Sequence, residues 1–138
     1  TKISISEYNP IYCFLNNELI IGKSSIDAEN YDELVFCSRE ARSVIIPNYI
    51  MRIRDCAFCG CEKLKTIEFA PGSQLQTIGI HSFGSTSIER FSIPSQVFEI
   101  GESAFSYCRK LRILKLPPDS KLRIIKSRKF DYSSIEKF

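Results

Sequence analysis

Tryptophan is absent from this sequence, and methionine and histidine occur once each, as Met51 and His81. Because the chain does not begin with methionine, we expect a processed protein or a segment of a longer one. No apolar run approaches the roughly 20 residues of a membrane-spanning helix, so no membrane span is expected in this segment. The N-terminus also lacks the basic and then apolar pattern of a signal peptide.

Sequence signals of catalysis are equally scarce. Ser-His-Asp or Cys-His catalysis would have to use His81, because it is the only histidine. Neither a glycine-rich phosphate loop nor a zinc-protease motif is present. The sequence therefore predicts no enzyme activity, no catalytic residue and no cofactor.

Charge is distributed unevenly along the chain. The net charge is +3, but residues 1–105 sum to −4 and residues 106–129 sum to +8. Such a basic block can bind a polyanion such as a sulfated glycan, but more often it is a solvated face. The polyanion-binding candidates are Lys121, Arg123, Lys126 and Arg128. Nucleic acid is not favoured as a partner, because no stacking platform or nucleic-acid motif accompanies the block.

The sequence repeats itself with a period of 47 residues. Residues 71–91 and 118–138 are identical at nine of 21 positions, and residues 46–69 and 93–116 at eight of 24. A recurrent phenylalanine at positions 58, 83, 105 and 130 divides the chain into four coils of about 23 residues. Two coil types therefore alternate, which is the pattern of a solenoid.

Each coil follows the same pattern of apolar residues. A short run such as residues 64–69 alternates apolar and polar positions and predicts a strand. A proline turn and a second apolar pair follow, for example Ile50 with Ile53. The pattern predicts a mainly β solenoid of the α/β class, with a parallel concave sheet and coils stacked on one continuous core.

The recurrent phenylalanines Phe58, Phe83 and Phe105 should stack as the inner spine of that core. Truncation of a buried phenylalanine to alanine typically costs about 3–5 kcal/mol, so we expect Phe105→Ala to destabilise the fold strongly.

The phrases Ile-Pro-x-x-Val/Ile-x-x-Ile-x-x-x-Ala-Phe-x-x-Cys-x-x-Leu, at residues 46–64 and 93–111, resemble the BspA-like (Treponema-type) leucine-rich repeat. Two variant coils replace Ala-Phe by Ser82-Phe83 and by Lys129-Phe130. Lys129 is the largest departure, because the family places a small inward residue there. The resemblance implies a surface antigen with a cell-surface or extracellular location, and a role in adhesion or protein recognition.

The resemblance also suggests how the chain is divided. We expect residues 41–138 to form the leucine-rich-repeat coils and to continue into further repeats beyond Phe138. Residues 1–40 should form an irregular strand or hairpin block that flanks the array, with strands at residues 13–21 and 31–37.

In each predicted strand, the residues between the inward positions should face the concave side. They form two rows of mixed polar, charged and apolar character, which suits a protein partner: Ser43, Thr66, Arg90, Ile113 and Lys137 in one row, and Ile45, Glu68, Ser92 and Lys115 in the other. The alternative interpretation is an ordinary solvated sheet face.

Six cysteines leave two questions open. Cys56, Cys59 and Cys61 are dense enough to suggest a metal site, but no second pair at ligand spacing supports one, so no metal is predicted. Cys13 and Cys37 lie on the two predicted N-terminal strands and could form a disulfide if those strands are adjacent. Free thiols are an equally good interpretation.

These patterns favour a non-catalytic recognition module that binds a protein ligand, such as a host surface or matrix protein. The alternatives are a structural solenoid that assembles with others, or a module that binds sulfated glycans through residues 109–129.

Overall fold

Strands and turns, without any helix, make up the described part of the chain, which a computed structural model covers from residue 2 to residue 125. Eleven strands are present in this range, namely β1 (Tyr12–Leu15), β2 (Leu19–Gly22), β3 (Glu33–Cys37), β4 (Ser43–Ile46), β5 (Arg52–Ile53), β6 (Thr66–Phe69), β7 (Thr77–Ile78), β8 (Arg90–Ser92), β9 (Glu99–Ile100), β10 (Ile113–Lys115) and β11 (Ile124–Ile125). The predictions for Lys129, Phe130 and Phe138 concern residues outside this range.

The N-terminal block contains three strands, where the sequence predicted two. Residues 13–21 form a hairpin of β1 and β2, because Asn16 and Asn17 turn the chain with φ angles of 54° and 56°. Asparagine tolerates this left-handed conformation better than most residues. Strand β3 then pairs antiparallel with β2 and parallel with β5, so the block and the coils share one sheet.

Each coil contributes one strand to each of two sides of a solenoid. On one side, β3, β5, β7, β9 and β11 pair in parallel and extend the N-terminal hairpin into a seven-stranded sheet. On the other side, β4 pairs with β6 and β8 with β10, also in parallel. Strands β4, β6, β8 and β10 are those that apolar alternation predicted. The second apolar pairs lie on or beside the two-residue strands of the other side, which are too short to show an alternation of apolar and polar residues.

The turns that close each coil form a further ladder of backbone hydrogen bonds. The N–H groups of residues 56, 58 and 60 donate to the carbonyl oxygens of residues 80, 82 and 84, with N···O distances of 2.7–2.9 Å. The same pattern links residues 81, 83 and 85 to residues 102, 104 and 106. These bonds satisfy polar groups that would otherwise be buried without partners.

The predicted phenylalanine spine is confirmed. Phe58, Phe83 and Phe105 are fully buried, and their rings stack nearly parallel with centroid separations of 4.9 Å and 5.4 Å. The predicted second apolar pairs are also buried in the first three coils. Leu116, which lies one 47-residue repeat after Phe69, is 36% exposed, because β10 ends at Lys115 and the chain turns at the two prolines that follow.

Two glycines allow neighbouring coils to approach closely. A Cβ atom on Gly79 would lie 2.6 Å from the backbone nitrogen of Asp55, and one on Gly101 would lie 2.7 Å from that of Ile80. Real Cβ atoms do not come so close to backbone atoms, so any side chain here would push the coils apart.

Candidate binding surfaces

The residues predicted to face a partner lie on β4, β6, β8 and β10, and we call this surface the strand face. It comprises Ser43, Ile45, Thr66, Glu68, Arg90, Ser92, Ile113 and Lys115. All are exposed except Ile113, which is partly buried. The predicted register holds within each strand pair, since Ser43 pairs with Thr66 and Arg90 pairs with Ile113. Lys137 lies outside the described residues.

The strand face is divided into two halves. Strands β6 and β8 are in contact but are not joined by a ladder, so the two predicted rows are interrupted between them. The second coil returns to its strand by a shorter turn, with one residue between Thr86 and Ile88, where the first coil has two between Cys61 and Leu64. Its Ser87 N–H therefore donates to the carbonyl of Leu64, and the ladder goes no further.

This division has the period of the sequence repeat. Strand β8 begins 47 residues after β4, and β10 begins 47 residues after β6. The alternation of two coil types therefore appears in the structure as alternating paired and unpaired strand neighbours.

A recess of about 850 Å³ opens beside this interruption, next to the proline turns. Its wall includes Phe69 and the carboxylates of Glu68 and Asp119, together with polar side chains such as Gln74 and Gln96. Glu68 was predicted from the sequence, whereas Gln74, Gln96 and Asp119 were not. No sequence signal could have found them, because they come from turns of different lengths in successive coils.

The surface of the strand face is mixed in polarity. Ile45 is 61% exposed in the middle of β4, directly opposite the carboxylate-bearing Glu68 of β6. Beside it, the hydroxyl of Thr66 donates to that of Ser43 over 2.8 Å. In the other half, Arg90 and Lys115 are both exposed. The face therefore combines an exposed apolar side chain on its outermost strand with a carboxylate beside it and basic side chains in its other half.

The polyanion-binding candidates are described only in part. Lys121 and Arg123 are exposed on the segment between β10 and β11, and the Lys121 ammonium donates to the amide oxygen of Gln96 over 2.6 Å. Lys126 and Arg128 lie outside the described residues.

All six cysteines are free thiols. Cys13 and Cys37 are not on adjacent strands, because β2 lies between β1 and β3. The condition for the disulfide considered above is therefore not met. Cys37 instead lies beside Cys61, whose thiol is 3.7 Å from the Cys37 carbonyl oxygen. Within residues 2–125, no three His, Cys, Asp or Glu side chains are arranged to hold a metal ion.

The repeated cysteine position has a structural role. The buried Cys108 thiol donates to the Phe83 carbonyl in the preceding coil over 2.9 Å, and Thr86 occupies the equivalent position one coil earlier. Burial raises the pKa of the Cys108 thiol, so it stays protonated and remains a donor.

An ion pair fastens the N-terminal block to the first coil. The buried carboxylate of Glu33 accepts a hydrogen bond from Arg54 Nε over 2.7 Å, and Arg52 lies 3.7 Å from its other oxygen. The Arg54 guanidinium also lies over the Tyr12 ring, 5.8 Å from its centroid. The ion pair therefore ties β3 to β5 and to the residue directly after it, and the ring contact ties Tyr12 of β1 to the same arginine.

Comparison with known sequence families gives a direct result. Residues 29–138 match the BspA type leucine rich repeat region in six copies. The chain belongs to the BspA-type leucine-rich-repeat family. The resemblance inferred from the Ile-Pro and Ala-Phe phrases is thus confirmed, and the matched range includes β3. A comparison with curated proteins finds no match.

Solved structures of leucine-rich-repeat proteins resemble this BspA-type chain. The pneumococcal vaccine antigen PcpA is 32% identical, with a TM-score of 0.64 over 69% of this chain and 26% of its own. A leucine-rich cell surface protein from Faecalibacterium prausnitzii is 15% identical, with a TM-score of 0.47 over 99% of this chain and 56% of its own. The chain thus spans about a quarter of PcpA.

No helix among the described residues is long and apolar enough to cross a membrane.

Proposed function

We propose that this BspA-type chain is a non-catalytic recognition module that binds a protein partner through the strand face. The observation that carries the proposal is the exposed Ile45 on a hydrogen-bonded strand pair, opposite the charged Glu68 and beside polar side chains. Protein interfaces commonly combine an apolar anchor with a polar rim. A fixed sheet also loses little conformational freedom on binding.

The partner that this proposal favours is a protein of a host surface or extracellular matrix. Support comes from the family and from PcpA, which is described as a vaccine antigen. The same likeness supports a location at the cell surface or outside the cell. Catalysis has no support: His81 is exposed on a turn, and its ring Nδ1 lies 3.4 Å from the Ser106 hydroxyl.

Binding of the whole chain to a panel of purified matrix and host surface proteins tests the proposal. For a partner so found, Ile45→Asp combined with Arg90→Glu should weaken binding at least tenfold, which corresponds to about 1.4 kcal/mol. Ile26→Asp is the matched control, because Ile26 is 62% exposed on a loop away from the strand face. Equal binding by the two variants would contradict the proposal.

A second candidate function is the binding of sulfated glycans, favoured by a run of exposed basic side chains. Described members of this run, all exposed, are Arg109, Lys110, Arg112, Lys115, Lys121 and Arg123. Retention on a heparin column should fall steeply with salt and disappear when Lys121, Arg123 and Lys126 are reversed to glutamate. Retention unchanged by that triple substitution would eliminate the glycan hypothesis.

The remaining alternative is a structural solenoid that assembles with other copies. Size-exclusion chromatography with light scattering distinguishes it from a recognition module, because assembly predicts a molecular mass that rises with protein concentration.

A further inference from the structure

The first coil carries cysteine at two positions where the repeat does not require it. Cys56 and Cys59 lie on the turn between β5 and β6. The equivalent pairs in the next two coils are His81 with Gly84 and Ser103 with Ser106. The turn therefore folds without thiols at these positions, and the structural role of Cys108 does not extend to them.

Cys56 and Cys59 are the ends of one tight turn. The N–H of Cys59 donates to the carbonyl of Cys56 over 3.1 Å, which is the hydrogen bond of a β-turn. Such a turn brings its end Cα atoms within about 7 Å, and a disulfide needs Cα atoms about 4.4–6.8 Å apart. Cys56 is also close enough to Cys59 to contribute to the raised pKa of its thiol.

We propose that Cys56 and Cys59 are a surface dithiol that closes to a disulfide by exchange with an oxidised small-molecule thiol such as glutathione disulfide. Access distinguishes Cys56, which is the exposed thiol among the six. Cys13 and Cys59 are half-buried, and Cys37, Cys61 and Cys108 are buried. Of these five, Cys59 is the one at the other end of the same turn.

The surroundings of the two thiols determine which of them attacks glutathione disulfide first. Burial and the neighbouring Cys56 raise the pKa of the Cys59 thiol, so Cys59 is the poorer first nucleophile. The Arg39 side chain lies over the same turn, with its Nε 3.3 Å from where a Cβ on Gly60 would be. Its positive charge partly opposes the rise in the pKa of Cys59.

The exchange has two steps. The Cys56 thiolate attacks one sulfur of glutathione disulfide, the S–S bond breaks, and one glutathione leaves as a thiolate. Cys59 then loses its proton to solvent and attacks the Cys56 sulfur of the mixed disulfide, releasing the second glutathione. Two protein thiols are oxidised to one disulfide, and one glutathione disulfide is reduced to two thiols.

Peptide mass spectrometry of the whole chain tests this assignment. The fully reduced chain is exposed to glutathione disulfide near pH 8, quenched with acid, alkylated and digested. We expect the peptide that contains residues 56–59 to lose two hydrogen atoms, and the other four cysteines to be alkylated. Cys59→Ser should stop at the mixed disulfide on Cys56, because no second thiol is in reach.

Two variants complete the design. Cys56→Ser combined with Cys59→Ser should fold, since the third coil carries serine at both equivalent positions, and should form no disulfide. Cys108→Ser removes a buried thiol and should oxidise at Cys56 and Cys59 as the parent chain does. A disulfide between Cys37 and Cys61, a glutathione adduct that never closes in the parent chain, or six unreacted thiols would each overturn the proposal.

Discussion

Phe83 is the residue whose truncation should damage the solenoid most. Its side chain is fully buried, and its ring stacks on Phe58 at 4.9 Å and on Phe105 at 5.4 Å. The Phe91 ring, from the strand of the same coil, is inclined at 62° to it with a centroid separation of 4.9 Å. Phe83→Ala therefore removes contacts to both neighbouring coils and to its own strand in one step.

The expected loss of unfolding free energy follows from the contacts that deletion of the ring removes. Buried Phe→Ala substitutions cost about 3–5 kcal/mol, and aromatic pairs add roughly 0.5–1.5 kcal/mol each beyond area burial. The core is closed on both sides of Phe83, so collapse cannot fill the space, and we expect a loss near the upper end of this range. Since domains are stable by only about 5–15 kcal/mol, this is a large share of the total.

Urea unfolding at 25 °C, followed by far-ultraviolet circular dichroism, measures this loss. The matched control is Phe98→Ala, which deletes the same atoms from a side chain that is 37% exposed, and it should lose less than half as much. If the two variants unfold at the same urea concentration, stacking of the phenylalanines does not hold the coils together and the reasoning fails.

Three further predictions concern the contacts between coils and the N-terminal block, each measured by urea unfolding. Gly101→Ala should lower the free energy of unfolding by up to about 3 kcal/mol, because the added Cβ would overlap backbone atoms of the neighbouring coil. Its control is Gly72→Ala, which lies in open space with a φ of 76° and should lower it by only about 1 kcal/mol. Glu33→Gln should cost about 1–3 kcal/mol by removing the charge that pairs with Arg54, and a smaller loss than that of Gly72→Ala would contradict the role given to this pair. Burial raises the pKa of the Cys108 thiol in the folded chain above its ordinary value of 9.0. The protonated thiol therefore contributes its full stability below pH 9.0, and this contribution is lost as the pH rises through the pKa of the folded state. Cys108→Thr should therefore lose less stability than the parent chain between about pH 8 and 10, and identical pH profiles would contradict this assignment.

The coil pattern was predictable from the sequence because it is a local property. Apolar alternation in residues 64–69 and the recurrent Ala-Phe phrase both depend on residues close in the chain. Every coil must bury the same side against its neighbours, so the period of the pattern gives the stacking. The strand pairing of β4 with β6, the buried Phe58 and its stacking on Phe83 all follow from that period, and each is observed.

The misses have a common cause, which is dependence on contacts between distant residues or on turn geometry. The hairpin at residues 13–21 depends on the left-handed conformations of Asn16 and Asn17, which an apolar pattern does not contain. The two-residue strands β5 and β7 exist only because a neighbouring coil supplies their partners.

By itself, therefore, the sequence determined the solenoid, its coil length, most of its inward residues and its family. Only the tertiary structure decided that the strand face divides between β6 and β8, that Cys37 lies beside Cys61, and that Glu68 shares a recess with Asp119. The physical reason is that stacking brings together residues about 24 to 51 positions apart. Their spacing depends on the length of each turn, where one residue more or less shifts a whole row of hydrogen bonds.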